Sequence, residues 1–133
     1  MQTPNTILKL VYKQEHFDIS QMKIGARWVT TINADGTVLV KEYKSGSRKV
    51  ESSYKGKCTV AAFRLLCCRI EECISTADRQ EFYVDDSSEE LKIFHAFGRV
   101  QTVDRGLGNG KTDIGRIMHD FFGRDVVEEK NDD

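Results

Sequence analysis

The dipeptide Asp35-Gly36 constrains this chain more than any other feature of its sequence. It separates two alternating runs, and Asp-Gly accepts the positive φ angles that a tight hairpin turn demands. A two-residue turn there pairs Ala34 with Thr37, hence Ile32 with Leu39 and Trp28 with Tyr43. Side chains alternate with period two along a strand, so those four residues share one face of the ribbon. The same register puts Val29, Val38 and Val40 on the opposite face. That predicts apolar surface on both sides, and such surface marks association.

Further strands follow from the same pattern. Ile7–Tyr12 and His16–Ile19 read as two short strands divided by the polar Lys13-Gln14-Glu15. A turn at Ser45-Gly46 sets Glu42 opposite Lys49, an opposite-charge cross-strand pair, and Arg48–Tyr54 is polar enough to lie at an edge. Glu81–Val84 and Leu91–Phe97 read as strands joined by the acidic loop Asp85–Glu90, and a turn at Phe97-Gly98 leads into Arg99–Val103.

From Thr59 onward the apolar period changes from two to 3.6. Phe63, Leu66, Cys67, Ile70, Ile74 and Ala77 form one helical stripe, with Arg64, Glu71 and Glu72 on the other side and Thr59 placed as N-cap. A second helix spans Thr112–Phe122 with Ile114, Ile117, Met118 and Phe121 on one face, and Gly123 stands where a left-handed cap belongs. Strands, helix, strands, helix, with short turns, predict an α+β fold: a mostly antiparallel sheet of hairpin-connected strands with two helices packed on one face. With 133 residues the chain suits a single domain. We place it over residues 1–125, with 126–133 as an acidic tail that frays.

Charge is balanced, 20 Lys+Arg against 21 Asp+Glu, so no global field draws the chain to nucleic acid or anionic lipid. No apolar run is long enough for a membrane span, and the first residues lack the pattern of a secretory signal. The expectation is a cytoplasmic protein with reduced thiols. Cys58, Cys67, Cys68 and Cys73 crowd into one window, without the spacing of a zinc site or a disulfide framework. They read as small hydrophobes, and neither metal nor cofactor is expected. Cys68 falls off the stripe beside Arg64 and Arg69, the setting that favours a thiolate.

Two segments suggest sites. Gly106–Thr112 resembles a phosphate-binding loop in composition, but Arg105 stands where the first glycine belongs and no strand supplies a magnesium ligand. A weaker anion site on Gly108, Gly110, Lys111 and Thr112 survives, because a helix N-terminus beside a lysine attracts anions. The second is Lys41–Lys57, a basic hairpin containing Tyr43 and Tyr54 that is followed by an acidic stretch from Glu71 to Glu90. The histidines make no unit: His95 alternates in phase with Leu91 and Ile93 as an inward residue, while His16 and His119 lie apart.

No catalytic constellation is visible, so the expectation is a non-enzymatic module that binds another protein, self-association included, steered by its separated charge blocks. A small-ligand or anion-binding protein using Gly106–Thr112 is the alternative. Nucleic-acid binding through Lys41–Lys57 ranks below both, and would rise if those residues joined a contiguous basic face.

Overall fold

A computed structural model describes residues 3, 5–18, 23–44, 49–76, 87–104 and 113–128. The chain forms β1 (Ile7–Asp18), β2 (Lys23–Asn33), β3 (Thr37–Tyr43), β4 (Val50–Lys57), α1 (Val60–Thr76), β5 (Ser87–His95), β6 (Val100–Asp104), α2 (Asp113–Arg124) and β7 (Val127–Glu128). The strands make one seven-stranded sheet in the order β6-β5-β1-β2-β3-β4-β7, each neighbouring pair antiparallel. With both helices on one face of that sheet, the fold is the expected α+β architecture.

Cross-strand pairing explains the core. Leu10 on β1 faces Ile32 and Ile93, and Ile32 faces Val38 in turn, so one row of aliphatic side chains crosses four strands. The next row carries Leu91, Tyr12 and Thr30. Phe63, Leu66 and Ile70 from α1 and Ile114, Met118 and Phe121 from α2 close over these rows in one buried cluster. Burying each large side chain contributes about 1.5–3 kcal/mol, which is how an amphipathic helix is held against a sheet. Thr59 caps α1 as expected, its Oγ1 accepting the Ala62 N–H at 3.0 Å. Phe63, Leu66, Cys67 and Ile70 are buried while Arg64 and Glu71 are exposed, again as the stripe requires.

The hairpin register differs from expectation by one residue. The loop has three residues, Ala34-Asp35-Gly36, so Ile32 pairs with Val38, Thr31 with Leu39, Trp28 with Glu42 and Arg27 with Tyr43. Ile32 and Leu39 therefore lie on opposite faces; Val38 and Val40 join the core side, and Val29 stays opposite it. Local and distant contacts both fix the longer loop. Asp35 Oδ1 accepts the Thr37 N–H at 2.9 Å and the Thr37 hydroxyl at 2.7 Å. Gly36, at φ +96°, presses against the Cys58 backbone so closely that a Cβ would collide with the Cys58 carbonyl.

Other boundaries shift for related reasons. Lys13-Gln14-Glu15 does not break the first strand but runs inside β1, since a sheet with one solvated face accepts polar residues in alternation. Ser87–Glu90, expected in a loop, belongs to β5 and pairs with His16–Lys13 of β1. Glu42 lies opposite Ser52, not Lys49, and the Ser52 hydroxyl donates to Glu42 Oε2 at 3.0 Å. Gly123 is no left-handed cap: α2 continues through it to Arg124, and the Asp125 N–H still donates to the Phe121 carbonyl at 2.9 Å. Residues 126–128, the start of the segment expected as a tail, make contacts with the rest of the fold. Val126 packs on the core, and Val127 and Glu128 pair with Lys57 and Gly56. Gly56 makes room for this, since a Cβ there would sit 2.8 Å from Val126 Cγ1. The Ser45-Gly46 turn, Ile19 and the Glu81–Val84 strand lie outside the described residues.

Candidate functional site

Because both helices lie on one side, the opposite face of the sheet has no cover from them, and register determines what it displays. Directly paired residues share a face. Val11 pairs with Thr31 and Thr31 with Leu39, giving an uncharged strip across the centre of the sheet, with Val29 beside it. All four are half-buried.

Cations stand at both margins of this strip. Leu39 pairs with Lys55, Lys41 lies two residues along β3 from Leu39, and Lys57 lies two residues along β4 from Lys55. On the other side Val11 pairs with Lys92, and Lys9 and Lys13 flank Val11 along β1. Strand spacing and rise put Lys55 and Lys57 about 7 Å apart and Lys13 and Lys41 about 10 Å apart at their Cα atoms. Lysine stems lie along β-branched floors while their ammonium groups reach water, which accounts for the half-buried state of Lys9, Lys13, Lys41 and Lys92. Among the acids that the register puts on this face are Glu15, Glu90 and Asp104, towards the β1–β5–β6 end; Glu90 lies 3.9 Å from Lys92 and pairs with Lys13 on one side and Asp104 on the other. At the Lys41–Lys57 margin the described acid is Asp35, whose Oδ1 accepts from the hydroxyl of Thr37, the cross-strand partner of Lys57.

Two aromatic rings belong to the same face, each under a cation. Lys9 Nζ is 4.4 Å from the centre of the Phe94 ring. The Arg27 guanidinium lies 4.4 Å from the centre of Tyr43, its cross-strand partner, and Arg27 Nε has no hydrogen-bond partner among the described residues. Phe94 pairs with Val100, 48% exposed, at the β5–β6 corner. Beyond them, at the tip of that hairpin, Phe97 is 77% exposed and held at φ 63°. It is the one non-glycine residue with positive φ among the described residues, a conformation that costs an L-residue about 1–2 kcal/mol. The turn is fixed from below. Ala96 is 1% exposed and its N–H donates to the Thr6 carbonyl, while the His95 N–H donates to the Arg99 carbonyl at 2.8 Å.

The residues singled out in sequence fare unequally. Lys41, Lys55 and Lys57 of the basic hairpin share the open face, and Lys9, Lys13, Arg27 and Lys92, which the sequence did not mark as site residues, complete it. The period-two placement of Lys9 and Lys13 on either side of Val11 was the signal available. Tyr54, by contrast, pairs with Val40 on the helix side. The Gly106–Thr112 loop, with Gly108, Gly110, Lys111 and Thr112, lies outside the described residues.

His95 is inward as expected, 5% exposed. Arg99 Nη2 donates to its Nε2 at 3.2 Å, which leaves the ring proton on Nδ1, 3.3 Å from the Asn5 carbonyl that accepts it. It therefore ties the N-terminal segment to the β5–β6 turn. Cys67 and Cys73 are buried and Cys58 half-buried, the packing role expected of them, while Cys68 is exposed. Burial pushes the Cys67 thiol up to about 12, with Glu71 adding to the shift. Burial likewise raises Cys58, helped by Asp125 and Asp35. Asp35, accepting from the Thr37 N–H and hydroxyl, is held below the ordinary carboxylate value.

A cleft of about 380 Å³ opens between α1 and the start of β1, lined by Ile7, Phe63, Arg64 and Cys67 among others. Its floor is the outer edge of the core, and Asn5, Thr6, Arg64 and Glu71 stand around it. Among the described residues no helix is long and apolar enough to cross a membrane, and no cluster of His, Cys, Asp and Glu is placed to hold a metal. No protein-family model, curated protein or solved structure matches this chain.

Proposed function

We propose that this is a non-enzymatic module that binds nucleic acid on the open face of its sheet. The observation that carries the reading is the arrangement of that face: lysines from β1, β3, β4 and β5 at two margins, Tyr43 and Phe94 among them, and no helix over it among the described residues. A polyanion with regularly spaced charges is the ligand such a lattice suits, because each phosphate neutralised releases condensed counterions. The chain's near-neutral total is no obstacle, since local fields, not the sum, steer association. Of the acidic stretch, Glu71 and Glu72 lie exposed on α1 and Glu90 lies on the open face 3.9 Å from Lys92, while Lys41, Lys55 and Lys57 stand on that face towards β4.

The test is fluorescence anisotropy of a labelled oligonucleotide as salt is raised from about 50 to 200 mM. Affinity should fall with a slope of about 0.7–0.9 in log–log form for every phosphate contacted. Replacing Lys41, Lys55 and Lys57 together by Ala should reduce that slope by about 2. Replacing Arg64 and Arg116 by Ala, both exposed on helices, should leave it unchanged. Absence of binding at low salt overturns the proposal. So does equal sensitivity to the helix-side pair, or stronger competition by an acidic protein than by the oligonucleotide.

A further inference from the structure

The margins of the open face are charged, but its middle is not, and that contrast narrows the class of nucleic acid. On the reading that this face binds nucleic acid, we infer that the ligand is single-stranded, with its bases over the Val11–Thr31–Leu39 strip and stacked at the β5–β6 corner on Phe94 and Phe97. A duplex turns its sugar-phosphate backbones outward and shows only base edges in its grooves, keeping the flat faces of its bases stacked inside. Laid on this sheet it would press charged groups onto the half-buried Val11 and Leu39, removing apolar surface and phosphate from water with no compensating contact. A single strand has an apolar side as well as a charged one. Its bases can rest on the strip while its phosphates follow a lysine margin, the combination of stacking surface and basic track by which unpaired strands are held.

The corner supplies the second, independent observation. An aromatic ring 77% exposed gains nothing from burial, yet Phe97 occupies a backbone conformation at φ 63° that glycine would adopt without strain. Strain retained at an exposed position is expected where the side chain is used. The position suits that use: Phe97 follows Phe94 in the same hairpin, in the turn Ala96–Gly98 that joins the strands on which Phe94 and Val100 pair. Lys9 lies over the Phe94 ring itself, so a base that stacks there takes the place of its ammonium group, which then meets the adjoining phosphate.

Three probes of matched length separate the possibilities: a thymidine oligonucleotide of about 12 nucleotides, within the site sizes such faces cover, its abasic counterpart with the same phosphates, and a duplex of that length. Thymidine should bind at least about tenfold more tightly than the abasic strand and more tightly than the duplex, since each stacked base is worth roughly five- to a hundredfold. Phe97→Gly should reduce the preference for thymidine over the abasic strand about tenfold while leaving the melting temperature unchanged or higher, because it removes strain along with the ring. Phe94→Leu, which keeps apolar bulk but not the stacking plane, should act in the same direction. Equal binding of thymidine and abasic strands, a tighter duplex, or an unaltered preference in Phe97→Gly overturns the single-strand inference while polyanion binding stands. Failure of all three probes at low salt, or binding only to phosphatidylserine-containing vesicles, overturns the nucleic-acid reading itself.

Discussion

Gly36 is the point at which the register of the sheet can be tested. Replacing it by Ala imposes two separable costs. The residue sits at φ +96°, where an L side chain loses about 1–2 kcal/mol. The new Cβ also collides with the Cys58 carbonyl, and relief requires the β4–α1 connection to move. That strains the 2.8 Å bond from the Cys58 N–H to the Gly36 carbonyl, worth about 0.5–1.5 kcal/mol. The sum is a loss of about 2–3 kcal/mol, which for a domain of this size lowers the melting temperature by roughly 10 °C. Gly36→Asn distinguishes the two costs, because asparagine tolerates the left-handed region but carries the same Cβ. If the collision matters, Asn restores little of what Ala loses. Chemical denaturation of the three proteins measures the difference. A loss below about 1 kcal/mol in Ala, or near-complete recovery in Asn, would refute the close approach of Gly36 to Cys58 and with it the three-residue loop.

Two further outcomes follow from the core. Phe63→Ala, at a site 3% exposed, should cost about 3–5 kcal/mol in denaturant melts; a loss under about 1 kcal/mol would mean that α1 does not close the core through this residue. Cys67 carries a pH dependence whose sign follows from its raised value. The folded thiol keeps its proton up to about pH 12, whereas the unfolded one releases it near the ordinary 9.0. Above pH 9 the unfolded state therefore holds fewer protons, and stability falls by about 1.4 kcal/mol per pH unit towards pH 12. Below pH 9 there is no such contribution. The wild type should thus lose ground to Cys67→Ala as pH rises through that window, and parallel curves for the two proteins would contradict the burial of the thiol.

How much of this was legible in the sequence depends on the range of the interactions. The α1 stripe was readable because Phe63, Leu66, Cys67 and Ile70 repeat within a few residues of one another, and Thr59 caps the helix locally. Asp35-Gly36 announced a turn, but two- and three-residue loops both use that pair. The contact that helps fix the longer one comes from Cys58, more than twenty residues away. That single-residue difference moved Leu39 from the core side to the open face, so the uncharged strip could not be seen in advance. The basic face was concealed differently. Lys41, Lys55 and Lys57 are neighbours in a linear window, whereas Lys9, Lys13 and Lys92 join them only because β1 lies between β2 and β5. Phe97 was read as part of a turn; its positive φ and its exposure are properties of the folded hairpin, anchored by Ala96 bonded to Thr6.

The order of the strands also bears on how the chain assembles. β1 to β4 follow one another in sequence and in space, and α1 comes next, so the first 76 residues can organise through contacts between successive segments. Both outer positions of that meander are filled late: β5 pairs Ile93 with Leu10, and β7 pairs Val127 with Lys57. Contacts of such separation slow folding towards milliseconds to seconds. As the chain leaves a ribosome, β1 waits as an open edge until β5 has been made, and an open edge is a template for other chains. Lys9 and Lys13 lie along that waiting edge. Charges on an edge oppose the pairing of one unfinished copy with the next.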